Sequence, residues 1–95
     1  NIFSNVLPAG TLLKNIAKNL NLGVIEIEVG SQNEGILAAI TKIISKKGIN
    51  IRQAYAEDNE LEENPILTVI TENPIDNDLI SEFLKIKGVN RVSIY

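Results

Sequence analysis

The stretch EGILAAITKIISKKGINIRQ, residues 34–53, contains a predicted helix and the start of a predicted strand. Its apolar residues recur three and four positions apart, which predicts a helix with one buried face. Those residues are Ile36, Leu37, Ile40, Ile43 and Ile44. Gly48 can adopt the left-handed conformation that often ends a helix, and Lys46 and Lys47 suit the negative helix C-terminus. A strand is predicted to follow over residues 49–57.

Alternating apolar residues on either side of this stretch predict three further strands and a second helix. In GVIEIEV, residues 23–29, three apolar residues alternate with Glu26 and Glu28, the period of a half-buried strand. Strands are also predicted over residues 65–72 and 89–95. The helix between them ends at Gly88, and its predicted apolar face consists of Leu79, Ile80, Phe83 and Leu84.

The order βαββαβ places two right-handed crossovers around a central hairpin. It predicts an α+β, ferredoxin-like fold with an antiparallel sheet in the strand order 4-1-3-2. Both helices are expected on one face of this sheet. The other face should carry Glu26 and Glu28, with Arg91 opposite them as a solvated cross-strand partner.

Residues 1–22 precede the predicted domain of residues 23–95. Thr11 is predicted to cap a short amphipathic helix, with Lys14 and Lys18 pointing away from its apolar face. That face consists of Leu12, Leu13, Ile16, Ala17 and Leu20. We expect it to pack on this domain or on a second copy. The alternative is a connector to an N-terminal domain, since a chain that starts at Asn1 and has no methionine is expected to be part of a longer protein.

The composition of the 95 residues argues against several classes of function. There is no cysteine and no histidine, so a serine nucleophile would lack its usual base and a metal its commonest ligands. The net charge of −3 and the absence of aromatic residues from the central strands argue against nucleic-acid binding. No apolar run approaches the ~18–20 residues of a membrane span. We therefore predict a cytoplasmic, non-enzymatic domain without metal or cofactor.

The loop GSQNEG, residues 30–35, joins the first strand to the first helix and has two interpretations. Ser31 and Glu34 fit a capping box, and Asn33 could cap instead. Alternatively, the amide groups of the helix N-terminus could bind a ligand carboxylate, with Gly35 allowing close approach to the backbone. Asn50, expected beside this loop, could both donate to and accept from a ligand. The structural alternative for Asn50 is an exposed edge-strand residue.

Residues 23–53 resemble an ACT domain. In that family a strand leads into a loop of the form Asp-x-Pro-Gly-x-Leu, then a helix, then Gly-x-Asn-Ile. The matching segments are Gly35-Ile36-Leu37 and Gly48-Ile49-Asn50-Ile51. Gln32 replaces the acidic residue of the pattern and Glu34 replaces its proline. The resemblance extends over about residues 23–95, and with the N-terminal segment the chain is most similar to archaeal ACT-domain proteins thought to regulate amino-acid metabolism.

This resemblance implies a regulatory domain that binds a small ligand, usually an amino acid, between two domains that join their sheets. The positions it implies for ligand contact are Ser31, Gln32, Asn33, Glu34, Gly35, Ile36, Leu37 and Asn50. The second strand has no proline or lysine and is the expected edge of a homodimer. If Gly35 has helical backbone angles, Gly35→Asp should abolish binding at little cost in stability. The main alternative is a dimerisation module without a ligand; an RNA- or protein-binding domain is a weaker third.

Overall fold

A computed structural model describes residues 9–30, 35–57 and 64–95. The strands in these residues are β1 (Gly23–Val29), β2 (Ile51–Glu57), β3 (Ile66–Thr71) and β4 (Val89–Ile94), and the helices are α1 (Ala9–Asn19), α2 (Ile36–Lys46) and α3 (Leu79–Leu84). The strands form one antiparallel sheet in the order β2-β3-β1-β4. The predicted ferredoxin-like arrangement is confirmed, with β2 and β4 as the two edges.

The main core lies between one face of the sheet and the helices α2 and α3. It is formed by alternate residues of β1, by Val69 of β3, by the inner faces of the two helices and by Ile75 in the β3–α3 connection. Its buried members are Ile25, Ile27, Val29, Ile36, Ile40, Ile44, Val69, Ile75, Leu79 and Phe83. Leu37 and Leu84 were predicted on these inner faces but are 45% and 47% exposed. At about 100° per residue, residues 36, 40 and 44 form a stripe along α2, and Leu37 lies at its edge, about 60° from the middle of the stripe.

Two helices end in the same hydrogen-bonded motif. At the end of α2, Gly48 has φ 71°, its N–H donates to Ser45 O at 2.9 Å, and Ile49 N–H donates to Ile44 O at 3.3 Å. These two bonds form a Schellman motif, so the predicted role of Gly48 is confirmed. Asn21 takes the equivalent position after α1, with φ 59°. The matching bonds there are Leu22 N to Ala17 O at 2.9 Å and Asn21 N to Lys18 O at 3.1 Å.

Helix α1 packs on the sheet face opposite α2 and α3. Ala17, Val24 and Ile70 form a small second core there, with Leu22 and Tyr55 at its margin. The expectation that the N-terminal helix packs on this domain is confirmed. The predicted cap at Thr11 is wrong, because α1 begins at Ala9 and Thr11 lies within it.

The rotation of α1 about its own axis also differs from the prediction. Ile16 and Leu20 are 46% and 65% exposed, whereas Lys14 contacts the sheet. Val24 and Ile70 are direct neighbours in the β1–β3 register and already cover the sheet surface with apolar side chains. The small side chain of Ala17 lets the helix approach that surface. Lys14 forms an ion pair with Glu26 of the sheet, and the Nζ atoms of Lys14 and Lys18 both lie near the Tyr95 ring. None of the helices in the three described ranges is long and apolar enough to cross a membrane.

Candidate functional site

The β1–α2 connection is anchored where it leaves β1. Val29 N–H donates to Pro65 O at 3.1 Å, and Gly30 N–H donates to Gly88 O at 2.8 Å. Four of the predicted ligand-contact residues, Ser31, Gln32, Asn33 and Glu34, lie outside the described residues, and their roles stay predictions. Described residues begin again at Gly35, which is the N-cap of α2.

Gly35 has the left-handed backbone angles φ 77° and ψ −3°, so the condition under which Gly35→Asp would cost little stability is not met. The helix begins at Ile36, and a glycine N-cap has no side chain to cap it. The interpretations of Ser31 and Glu34 as a capping box, and of Asn33 as a cap, concern residues outside the described ranges and stay predictions. A Cβ at Gly35 would meet no atom within 4 Å, so any cost of substitution arises from the backbone conformation, about 1–2 kcal/mol.

The N-terminus of α2 keeps the features that would attract an anion. The first N–H groups of an α-helix have no acceptor within the helix, and the helix dipole is positive at this end. The first turn contains no acidic residue to compensate that dipole. Ile36 is 2% exposed and belongs to the core, whereas Leu37 is exposed beside it. Among the predicted apolar contacts, Leu37 is therefore the one that a ligand at this end could reach.

Asn50 is joined to Glu72 by two hydrogen bonds. Its side-chain Nδ2 donates to Glu72 Oε2 at 3.0 Å, and Glu72 N–H donates to Asn50 O at 2.9 Å. An ionised carboxylate only accepts, which fixes the amide nitrogen toward Glu72 and leaves Asn50 Oδ1 as an acceptor for another group. The sequence reasoning missed Glu72. The signal that could have found it is the hairpin of β2 and β3, which brings the start of one strand beside the end of the other.

Within one chain, Asn50 and Gly30, where the β1–α2 loop begins, lie at opposite ends of the sheet. The register pairs both Ile51 and Gly23 with Thr71, so Asn50 lies near the start of β1. The loop follows the end of β1, seven residues and about 23 Å away. The expectation that Asn50 lies beside this loop in the same chain is wrong. Helix α2 carries the chain back along the sheet before β2 begins.

A separate polar groove of about 180 Å³ lies on the sheet face that carries α1. Its lining residues are Glu26, Glu28, Ile66, Arg91, Ser93 and Tyr95. The predicted contact between Arg91 and Glu28 is confirmed at 3.3 Å, and Lys14 Nζ lies 3.1 Å from Glu26 Oε1. A hydrogen bond to Glu26, followed by burial, raises the pKa of Tyr95. Both glutamates thus have cationic partners within the domain, which makes this groove a weaker candidate for a ligand site than the region around Asn50.

A second groove, of about 450 Å³, lies next to Asn50 between the end of α2 and the start of α3. Ile49, Pro74 and Leu79 line it together with Lys47 and the carboxylates of Asp76, Asp78 and Glu82. Within the described parts of the chain, no group of three histidine, cysteine, aspartate or glutamate residues is arranged to hold a metal ion.

Comparison with known proteins gives a structural likeness only. No protein-family model matches the sequence, and no curated protein matches it. The C-terminal domain of the MgtC protein from Mycobacterium tuberculosis superposes with a TM-score of 0.65 at 18% identity, over 78% of this chain and 84% of that one. The ACT domain from GTP pyrophosphokinase of Chlorobium tepidum superposes with a TM-score of 0.57 at 24% identity, over 78% and 96%. At these identities the likeness concerns the fold, and the fold of this chain is that of an ACT-like, ferredoxin-like domain.

Proposed function

We propose that this chain is a non-catalytic regulatory domain that binds an amino acid between two copies of itself. The observation that carries the proposal is the position of the two candidate binding groups at opposite ends of one sheet. The α2 N-terminus offers donors for a carboxylate. Asn50 offers an acceptor for an ammonium group. Each end of the sheet supplies half of what an amino acid requires, so a complete site needs a second chain.

Strand β2 is an edge strand, and it could pair with the same strand of a second chain. Its residues Arg52, Gln53, Ala54 and Ala56 are exposed. A two-fold axis beside β2 would pair it antiparallel with the β2 of the partner, so the start of one strand meets the end of the other. The end of β2 pairs with Ile66, as does the end of β1 at Glu28. The β2 start that carries the second copy's Asn50 would thus come to the loop end of the first copy.

The chemistry at this interface favours a small or aliphatic amino acid. Its carboxylate would accept from the N–H groups of α2, and its ammonium group would donate to Asn50 Oδ1. Leu37 is the exposed apolar side chain next to the helix start. Ser31, Gln32, Asn33 and Glu34 are proposed to complete the ligand contacts from the loop. The ACT-domain likeness supports this assignment through its fold, and regulation of amino-acid metabolism in the cytoplasm is part of the same proposal.

The second candidate is a dimerisation module without a ligand. The exposed β2 edge favours it, because the edge alone would be sufficient to hold two sheets together. Gln32 and Glu34, which depart from the ACT loop pattern, also favour it. The two candidates share a dimer and differ in whether a small molecule stabilises it.

Thermal melting of the dimer with each of the twenty amino acids at millimolar concentration separates the two candidates. A ligand at a hundredfold excess over Kd stabilises the folded state by about 2.7 kcal/mol, or roughly 4–8 °C for a domain of this size. We expect one or two small or aliphatic amino acids to produce such a shift. Asn50→Leu should abolish the shift while the unliganded protein still melts cooperatively. A dimer that responds to none of the twenty would be the ligand-free module.

A further inference from the structure

We propose that Glu72 makes the site selective for ligands with an ammonium group. It does so by orienting the Asn50 amide and by placing a negative charge beside it. The inference rests on the proposed amino-acid site and assigns to it a residue from the end of β3. Glu72 falls outside the loop and the Gly-x-Asn-Ile segment that carry the resemblance to ACT domains.

The position of Glu72 is determined by the backbone on both of its sides. Thr71 is fully buried, and its hydroxyl donates to Asn73 O at 2.7 Å across Glu72. The N–H of Glu72 itself donates to Asn50 O at 2.9 Å. Its side chain then reaches back to Asn50 Nδ2 at 3.0 Å. The two residues form a closed pair that joins the start of β2 to the end of β3.

The orientation of the Asn50 amide follows from this pair. With its nitrogen held by a carboxylate, the amide presents Oδ1 to any further partner. A free Asn50 side chain could rotate and present its amino group to a carboxylate as readily as its oxygen to an ammonium group. Glu72 removes the first of these options and leaves an acceptor.

The charge of Glu72 is available to a ligand. Glu26 and Glu28 are paired with Lys14 and Arg91. Across residues 9–30, 35–57 and 64–95, by contrast, no lysine or arginine forms an ion pair with Glu72. A carboxylate without a cationic partner in the described residues, next to an amide oxygen, makes a surface that attracts a cationic group and repels a carboxylate. The ligand would accordingly bind with its ammonium group at the Asn50–Glu72 pair and its carboxylate at α2 of the other copy.

Glu72→Gln tests the charge, because it keeps the side-chain shape and an acceptor for Asn50 Nδ2. Calorimetry on the dimer compares each amino acid that raises the melting temperature with the acid of the same carbon skeleton without an amino group, as L-valine with 3-methylbutanoate. We expect Glu72→Gln to weaken amino-acid binding about tenfold and to leave binding of the deaminated acid unchanged. Asp76→Asn, which removes an exposed carboxylate at the same end of the domain, should change neither affinity.

Each outcome of this comparison supports or overturns the role proposed for Glu72. A loss of affinity confined to the amino acid supports selection by Glu72, provided the variant melts like the wild type. Equal losses for both ligands, or no loss for either, would show that Glu72 has only a structural role, while the amino-acid site itself would stand. If no amino acid binds the wild-type dimer, the site and the role of Glu72 are overturned together.

Discussion

At the start of β1, Gly23 lies against the turn that follows β3. A Cβ built there would overlap the Thr71 hydroxyl and lie 2.5 Å from the backbone oxygen of Asn73. The two groups it would displace are joined by the hydrogen bond from Thr71 to Asn73. Glycine at this position therefore serves close packing between β1 and a segment about fifty positions later in the chain.

We expect Gly23→Ala to lower the free energy of unfolding by about 1–3 kcal/mol, because the added methyl group overpacks this contact. Urea unfolding of the wild type and the variant measures the change. Gly30→Ala is the matched control at the other end of β1. A Cβ there would have its nearest neighbours at 3.7 and 3.9 Å, an ordinary contact distance. Equal stabilities for the two variants would contradict the role assigned to Gly23.

Gly48 and Gly35 show which glycine conformations can be predicted from the neighbouring sequence. Gly48 follows an apolar helix and two lysines, and this local pattern predicted its left-handed angles correctly. Gly35 also has left-handed angles, but it precedes a helix, where several capping patterns compete. For Gly23 no local signal existed, since its neighbours are distant in sequence.

Helix α1 is held to the sheet by charged and aromatic contacts as well as by apolar ones. Lys14 forms an ion pair with Glu26, and the Nζ atoms of Lys14 and Lys18 lie 5.0 and 5.3 Å from the centre of the Tyr95 ring. Such cation–π contacts contribute about 0.5–1 kcal/mol each at exposed sites. Burial lowers the pKa of Lys14, but the hydrogen bond and the charge of Glu26 outweigh it and raise the pKa overall.

These shifts give the docking of α1 a pH dependence in the alkaline range. A raised pKa in the folded state means that the folded protein binds the proton of Tyr95 or Lys14 more tightly than the unfolded chain does. The corresponding stability is present below the unfolded pKa, which is 10.0 for tyrosine, and is lost as the pH rises through the folded pKa. The contacts of α1 should therefore be intact at neutral pH and weaken above about pH 10.

Glu26→Gln should lower the pKa of Tyr95 toward its ordinary value, because the carboxylate both accepts a hydrogen bond and repels the phenolate. Titration of tyrosinate absorbance in a Tyr55→Phe background reports on Tyr95 alone, since the chain has two tyrosines. Glu28→Gln, which removes the carboxylate paired with Arg91, should have a smaller effect. An unchanged Tyr95 pKa in the Glu26 variant would mean that α1 and Tyr95 are not linked through Glu26.

For the whole molecule, the proposed assembly depends on which sheet edge is paired. Both β2 and β4 are edges, but the proposed site requires β2. Ala54 lies at the centre of β2, so a two-fold axis there would place it opposite its own counterpart in the partner.

Ala54→Lys should convert the dimer to a monomer, because two like charges would face each other across the seam. Asn90→Lys places the same charge on the β4 edge and should leave the dimer intact. Light scattering at tens of micromolar should give twice the 10.4 kDa chain mass for the wild type and Asn90→Lys. It should give a single chain mass for Ala54→Lys. Dissociation by Asn90→Lys would instead assign the interface to β4, and a monomeric wild type would refute the shared site.

The amino-acid sequence by itself determined the order of the helices and strands, the strand order in the sheet, and the placement of α2 and α3 on one sheet face. These features follow from periods of two and about 3.6 residues and from the short-range signal at Gly48. The contact between Glu28 and Arg91 followed as well, because it lies on the outer face of the predicted β1–β4 neighbours. Each of these inferences needed only residues close in sequence or the standard handedness of the crossovers.

Tertiary structure decided the rotation of α1, the pairing of Asn50 with Glu72 and the separation of Asn50 from the β1–α2 loop. The apolar pattern of α1 predicted a buried stripe, yet the sheet offered Glu26 and Tyr95 to its lysines and space only for Ala17 beside Val24. The Asn50–Glu72 pair depends on the β2–β3 register, which a long hairpin loop leaves undetermined in the sequence. Local patterns specify which face of an element is apolar, whereas contacts between distant residues depend on register and packing across the whole sheet.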